Sequence, residues 1–90
     1  MMFPTIHING SSPEYLLESA RYALDSLRAA VLQVEGTAPN GRDYYPQGDG
    51  AIAVAVSEHC DRLKRIQSVV EDLQTLAEHI ADAKAARGAR

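Results

Sequence analysis

Ninety residues and 9.8 kDa, 46% hydrophobic and 23% charged, fit one small domain and exclude both two independent cores and a disordered chain. Nine Lys and Arg against twelve Asp and Glu leave a net charge of -3, so there is no overall positive field to hold a DNA or RNA backbone or an anionic membrane. One cysteine, Cys60, excludes an internal disulfide, and without a CxxC or Cys/His array the expected compartment is reducing and cytoplasmic.

Met1 to Thr5 lacks a basic then apolar leader pattern, and no run approaches the ~20 apolar residues of a membrane span, so neither secretion nor membrane insertion is expected. The chain reads as a single domain, 1–90, with an extended arm over 1–11. Within it Thr5-Ile6-His7-Ile8 alternates with period two and ends at Asn9-Gly10, the pattern of a short strand followed by a turn.

A first helix is expected over 12–35. Ser12 is its N-cap, Pro13 suits the first turn, Glu14 complements the positive helix end, and Gly36 stops it. Leu17, Ala20, Leu24, Leu27, Val31 and Val34 recur at alternating threes and fours, the a/d seam of a coiled-coil-like helix. Tyr15 and Tyr22 fall at f positions opposite the seam, an outward aromatic pair that suits either cover by the arm or a partner surface.

Residues 36–50 form a loop of fifteen residues, where a helical hairpin needs only about two to eight. Asn40-Gly41 and Tyr45-Pro46 are turn signals, so the loop has a defined shape. Its side chains suit a planar, hydrogen-bonding ligand: Tyr44 and Tyr45 offer stacking faces, Arg42 a planar fork for phosphate or carboxylate, and Asn40, Asp43 and Gln47 contacts to a base edge. The alternative is a lid, with Arg42 paired to Asp43 or a helix end and the tyrosines lying over the hairpin.

A second helix is expected over 51–86, with Asp49 as N-cap and a fraying tail at 87–90. Its seam is Ile52, Val56, His59, Leu63, Ile66, Val70, Leu73, Ala77 and Ile80. Ala51 to Val56 also alternates with period two, as a strand would; the unbroken seam and three alanines favour helix. At 1.5 Å per residue the helices measure about 34 and 54 Å, so a simple hairpin leaves an overhang.

Both apolar stripes widen on the g side, through Leu16, Ala23 and Ala30 on one helix and Val69 and Leu76 on the other. Two helices cannot cover that width, which points to a homo-oligomeric helical bundle, most simply a four-helix dimer. The alternative is a monomer whose arm folds back with Phe3, Ile6 and Ile8. His59, at a d position, is a candidate for fixing register or oligomeric state at an interface.

No catalytic constellation emerges: Glu58-His59 and Glu78-His79 are adjacent pairs expected on different helix faces, and no phosphate-loop glycine pattern is present. No metal site is expected from His59, Cys60 and His79, since His79 lies off the seam, and no cofactor is implied. The remaining charges read as helix-surface pairs, Arg21 with Asp25, Glu58 with Arg62 and Asp61 with Arg65.

Thr5-Ile6-His7-Ile8-Asn9-Gly10, a helix, Ala38-Pro39-Asn40-Gly41-Arg42-Asp43-Tyr44-Tyr45-Pro46-Gln47-Gly48 and a second helix together resemble a group of small phage and prophage proteins. That resemblance covers most of the chain, is most specific in the loop, and implies phage origin and a bacterial cytoplasm. In size, helix pattern and expected assembly the chain is also similar to phage proteins that sequester the cyclic nucleotide signals of bacterial immunity. The resulting expectation is an all-α, non-enzymatic anti-defence protein that binds a cyclic nucleotide or related small anion through Asn40, Arg42, Asp43, Tyr44, Tyr45 and Gln47, with His7 from the arm. The rival expectation is an interaction protein that docks on a host protein or assists phage assembly, with Tyr15 and Tyr22 in the contact.

Overall fold

A computed structural model of the chain describes residues 1–88, of which 77% are helical, with no strand among them. Helix α1 spans Pro13–Glu35, a single turn α2 spans Gly41–Tyr44 and continues into a 3-10 turn at Tyr45–Gln47, and α3 spans Ala51–Gly88. The helix therefore runs through Arg87 and Gly88, where a fraying tail was expected; positions 89 and 90 lie outside the described residues.

The local signals act as their chemistry dictates. Ser12 is the N-cap of α1, its Oγ accepting the Tyr15 N–H at 3.1 Å, with Pro13 in the first turn. Gly36 closes α1 in a right-handed conformation, donating to the Leu32 carbonyl at 3.2 Å, while the Thr37 hydroxyl donates to the Val34 carbonyl at 2.7 Å. Ala51 to Val56 is helix: the loop lies against it, and among the described residues a strand there has no partner. Gly50, not Asp49, occupies the cap position of α3, its carbonyl accepting the Val54 N–H at 3.3 Å.

The two long helices pack antiparallel through the expected seam. Leu17, Ala20, Leu24 and Ile80 are buried, and Leu27, Val31, Val34, Leu63, Ile66, Val70, Leu73 and Ala77 are half-buried. Val56 is the exception, exposed because α1 has ended before reaching it. Lys84 lies 3.8 Å from Glu14, where the start of α1 runs beside the end of α3. With 23 residues against 38, α1 falls short at the N-terminal end of α3, in a molecule measuring 65 × 20 × 20 Å.

Both features expected to require a second copy are met partly within one chain. The loop covers the overhang of α3, and the arm lies on the g side. Met2, Phe3 and Pro4 border a groove of about 590 Å³ with Leu16, Ala23 and Leu76, and Phe3 stacks on His79 with ring centroids 4.1 Å apart and planes at 13°. The arm is not a strand, for among the described residues no second strand exists to pair with it, but its turn forms, the Gly10 N–H donating to the His7 carbonyl at 3.1 Å. Tyr15 and Tyr22 do not lie beneath the arm: the arm follows the g side, and the f-position tyrosines remain 62% and 66% exposed.

The expected pairs Arg21 with Asp25, Glu58 with Arg62 and Asp61 with Arg65 do not form within 4.0 Å, and among the described residues Lys84–Glu14 is the one salt bridge. Exposed pairs of long side chains gain too little to overcome their rotamer entropy, so their absence costs the fold little.

Candidate functional site

The loop follows from three local devices. Asn40 caps α2, its Oδ1 accepting the Arg42 N–H at 2.9 Å and the Arg42 Nε–H at 3.4 Å. Tyr45-Pro46-Gln47 tightens into a 3-10 turn, and Gly48, at φ 111°, supplies the positive-φ conformation, open to glycine, that turns the chain into α3. The Gly48 carbonyl then accepts the Ala51 N–H at 3.3 Å, joining the turn to the helix start.

Folded this way, the loop lies across the overhanging turns of α3 and encloses a cleft of about 310 Å³. Tyr44, Gln47, Glu58, His59 and Arg62 bring polar groups to it, and Thr37, Pro39, Ala51, Val54 and Ala55 complete the walls. Its size falls at the lower end of small-molecule sites, with room for one ring system and its polar substituents. Arg62 offers a planar cationic fork, Glu58 an anionic acceptor, Tyr44 a half-buried aromatic face with a hydroxyl, and Gln47 paired donor and acceptor groups.

His59 distinguishes this cleft from the other hollows of the molecule. It is 7% exposed, the one buried polar residue among those described, and its Nδ1 is enclosed without a hydrogen-bond partner. An unsatisfied buried polar atom costs about 1–3 kcal/mol, in a seam where leucine or isoleucine would continue the pattern at no such cost. Expected at an interface between copies, His59 is instead buried inside a single chain, at the point where α1 ends and the loop takes over its cover.

The structure divides the expected ligand-binding set. Tyr44 and Gln47 line the cleft, while Asn40, Arg42, Asp43 and Tyr45 are exposed and outside its lining; Arg42 is drawn toward Asn40, and Tyr45 is 76% exposed. His7 lies beside Ile6, Ala86 and Arg87 at the opposite end of the hairpin, so within one chain it cannot join the loop. The length of α1 alone keeps them about 34 Å apart.

Glu58, His59 and Arg62 are the cleft residues that the side chains of the loop do not reveal. Glu58 and His59, adjacent and expected on different faces, both line the cleft because the loop crosses from one face to the next. The overhang and the loop of fifteen residues are both visible in the sequence, but nothing in it places the one on the other.

Of the other expected interface residues, Leu16, Ala23, Ala30 and Leu76 are half-buried and Val69 is 47% exposed. His59 and His79 stand about 30 Å apart along α3, and among the described residues no three His, Cys, Asp or Glu side chains gather where a metal could be held. Among those residues, no helix is long and apolar enough to cross a membrane. No family of known proteins matches the chain, and no curated protein or solved structure does so either.

Proposed function

We propose that this chain is a non-enzymatic binding protein, of phage type, that counters host antiviral defence by taking up and sequestering a nucleotide-type immune signal in the bacterial cytoplasm. The cleft under the loop carries this reading: it is lined by the buried His59, whose Nδ1 has no partner, and by Arg62, Glu58, Tyr44 and Gln47. Those groups match the parts of a nucleotide, with the guanidinium toward a phosphate and the amide, carboxylate and tyrosine toward a base. The cleft has room for one base with its sugar, so a cyclic di- or trinucleotide would leave the rest of its ring at the mouth. In this reading the protein works as a homo-oligomer, each copy carrying one cleft.

Native mass spectrometry of the purified chain with a panel of cyclic di- and trinucleotides and cyclic ADP-ribose isomers tests the proposal. The expected result is one intact ligand per chain, recovered unchanged after denaturation. No adduct across the panel, or a ligand returned chemically altered, contradicts it.

One observation favours a second reading, a module that docks on a host protein or assists phage assembly. Tyr15 and Tyr22 are exposed in a row on α1, clear of the arm and of the cleft, and aromatic residues so placed are common at protein interfaces. A host protein retained by the wild-type chain and lost with Tyr15→Ala and Tyr22→Ala, with no nucleotide bound, would favour that reading.

A further inference from the structure

The exposed area is larger than a chain of this size leaves open as a finished monomer. A compact protein of this mass exposes about 5,200 Å², whereas this one exposes 6707 Å². The excess, about 1,500 Å², exceeds the ~800 Å² that each partner contributes to a standard stable interface.

The heptad positions show where that excess is apolar. In an antiparallel hairpin the g positions of both helices share one broad face and the e positions the other. The g face carries Leu16, Ala23 and Ala30 from α1 and Val69 and Leu76 from α3, with Arg62 its one charged position, at the loop end. The e face carries Arg21, Arg28, Cys60, Gln67 and Gln74. The arm and the loop lie on the g side at its two ends, leaving Ala30 and Val69 open between them, with Val69 47% exposed. The arm does not finish the surface, because Met2 is itself 94% exposed and Met1 64% exposed.

We infer that this face receives a second copy of the chain. Two hairpins meet g face to g face about a two-fold axis, so that Ala30 and Val69 enter a four-helix core and the two arms close its ends. Small residues on α1 opposite larger ones on α3 allow the layers to approach closely. The inference rests on the reading that the protein assembles with itself and adds which surface does so; the cleft is unaffected by its failure.

The test is the mass of the full chain by light scattering over a micromolar dilution series. Wild type is expected to be a dimer, and Val69→Glu to weaken it at least tenfold while far-UV circular dichroism is unchanged, since a half-exposed side chain is replaced without opening the seam. Gln67→Glu, on the opposite face, is expected to leave the dimer intact. Independently, Val69→Cys in a Cys60→Ser background is expected to give a covalent dimer with a short bifunctional maleimide. A wild-type monomer at every concentration overturns self-association altogether. A dimer untouched by Val69→Glu, or one that yields no cross-link at position 69, overturns this face while leaving self-association standing.

Discussion

Ile80→Ala is expected to cost about 3 kcal/mol and to lower the melting temperature by about 12–24 °C for a domain of this length. Ile80 is 2% exposed and packs where Leu17, Ala20 and Leu24 are also buried. These four are the buried hydrophobic residues among those described, and they cluster at the arm end, so a cavity there removes a large share of what holds α1 on α3. Leu32→Ala, at a side chain 68% exposed, is expected to change the melting temperature by no more than about 2 °C. Thermal melts by circular dichroism at equal protein concentration, so that any self-association contributes equally, decide it. A loss below about 4 °C for Ile80→Ala would show that stability is not centred at this end.

His59→Leu is expected to act in the opposite direction on stability and to damage binding. Leucine completes the seam and removes the enclosed, unpartnered Nδ1, so the ligand-free protein gains about 1 kcal/mol or more, read as a melting temperature about 4–8 °C higher. Affinity for the nucleotide found in the mass-spectrometry panel falls at least tenfold, because the cleft loses one of its polar walls. Natural proteins accept such costs where a site requires them. A variant that is less stable than wild type would show that the imidazole serves packing, and one that binds as well would remove His59 from the site.

These two expectations place stability and function at opposite ends of the hairpin. The arm end holds the buried aliphatic residues, and the loop end holds a single buried residue, a histidine. With fewer buried aliphatic contacts, the loop end is the less stable end of the hairpin.

Much of the fold was legible in the sequence because it depends on local chemistry and period. Ser12 and Pro13 start α1 through their own hydrogen-bonding and φ preferences, Gly36 closes it in an ordinary right-handed conformation, and the a/d seam identified nearly every side chain that faces its partner. The seam also decided the ambiguity at Ala51 to Val56 in favour of helix. Two things were not legible, for a common reason. What covers an apolar surface depends on where distant segments end in space, and periodicity carries no such information. The overhang and the wide g stripe are written in the sequence, but not that the loop covers the first and the arm part of the second.

The same reason divides the candidate site. Of the polar and aromatic side chains of the loop, Tyr44 and Gln47 line the cleft. Arg42 could not be told from Arg62 by composition. The Asn40 cap draws Arg42 away, while Arg62 lies three residues beyond His59 on the helix that the loop covers. His7, grouped with the loop for its chemistry, is held at the far end by the length of α1.

The central claim is that ligand is held in the cleft between loop and α3 rather than on the outer surface of the loop. Calorimetric titration of the nucleotide identified by mass spectrometry into Arg62→Ala and Arg42→Ala tests it most directly, since the two substitutions remove the same charge on either side of the loop. Arg62→Ala is predicted to weaken binding at least tenfold and Arg42→Ala less than twofold. The reverse order would contradict the account and place the ligand on the exposed face of Gly41–Tyr44.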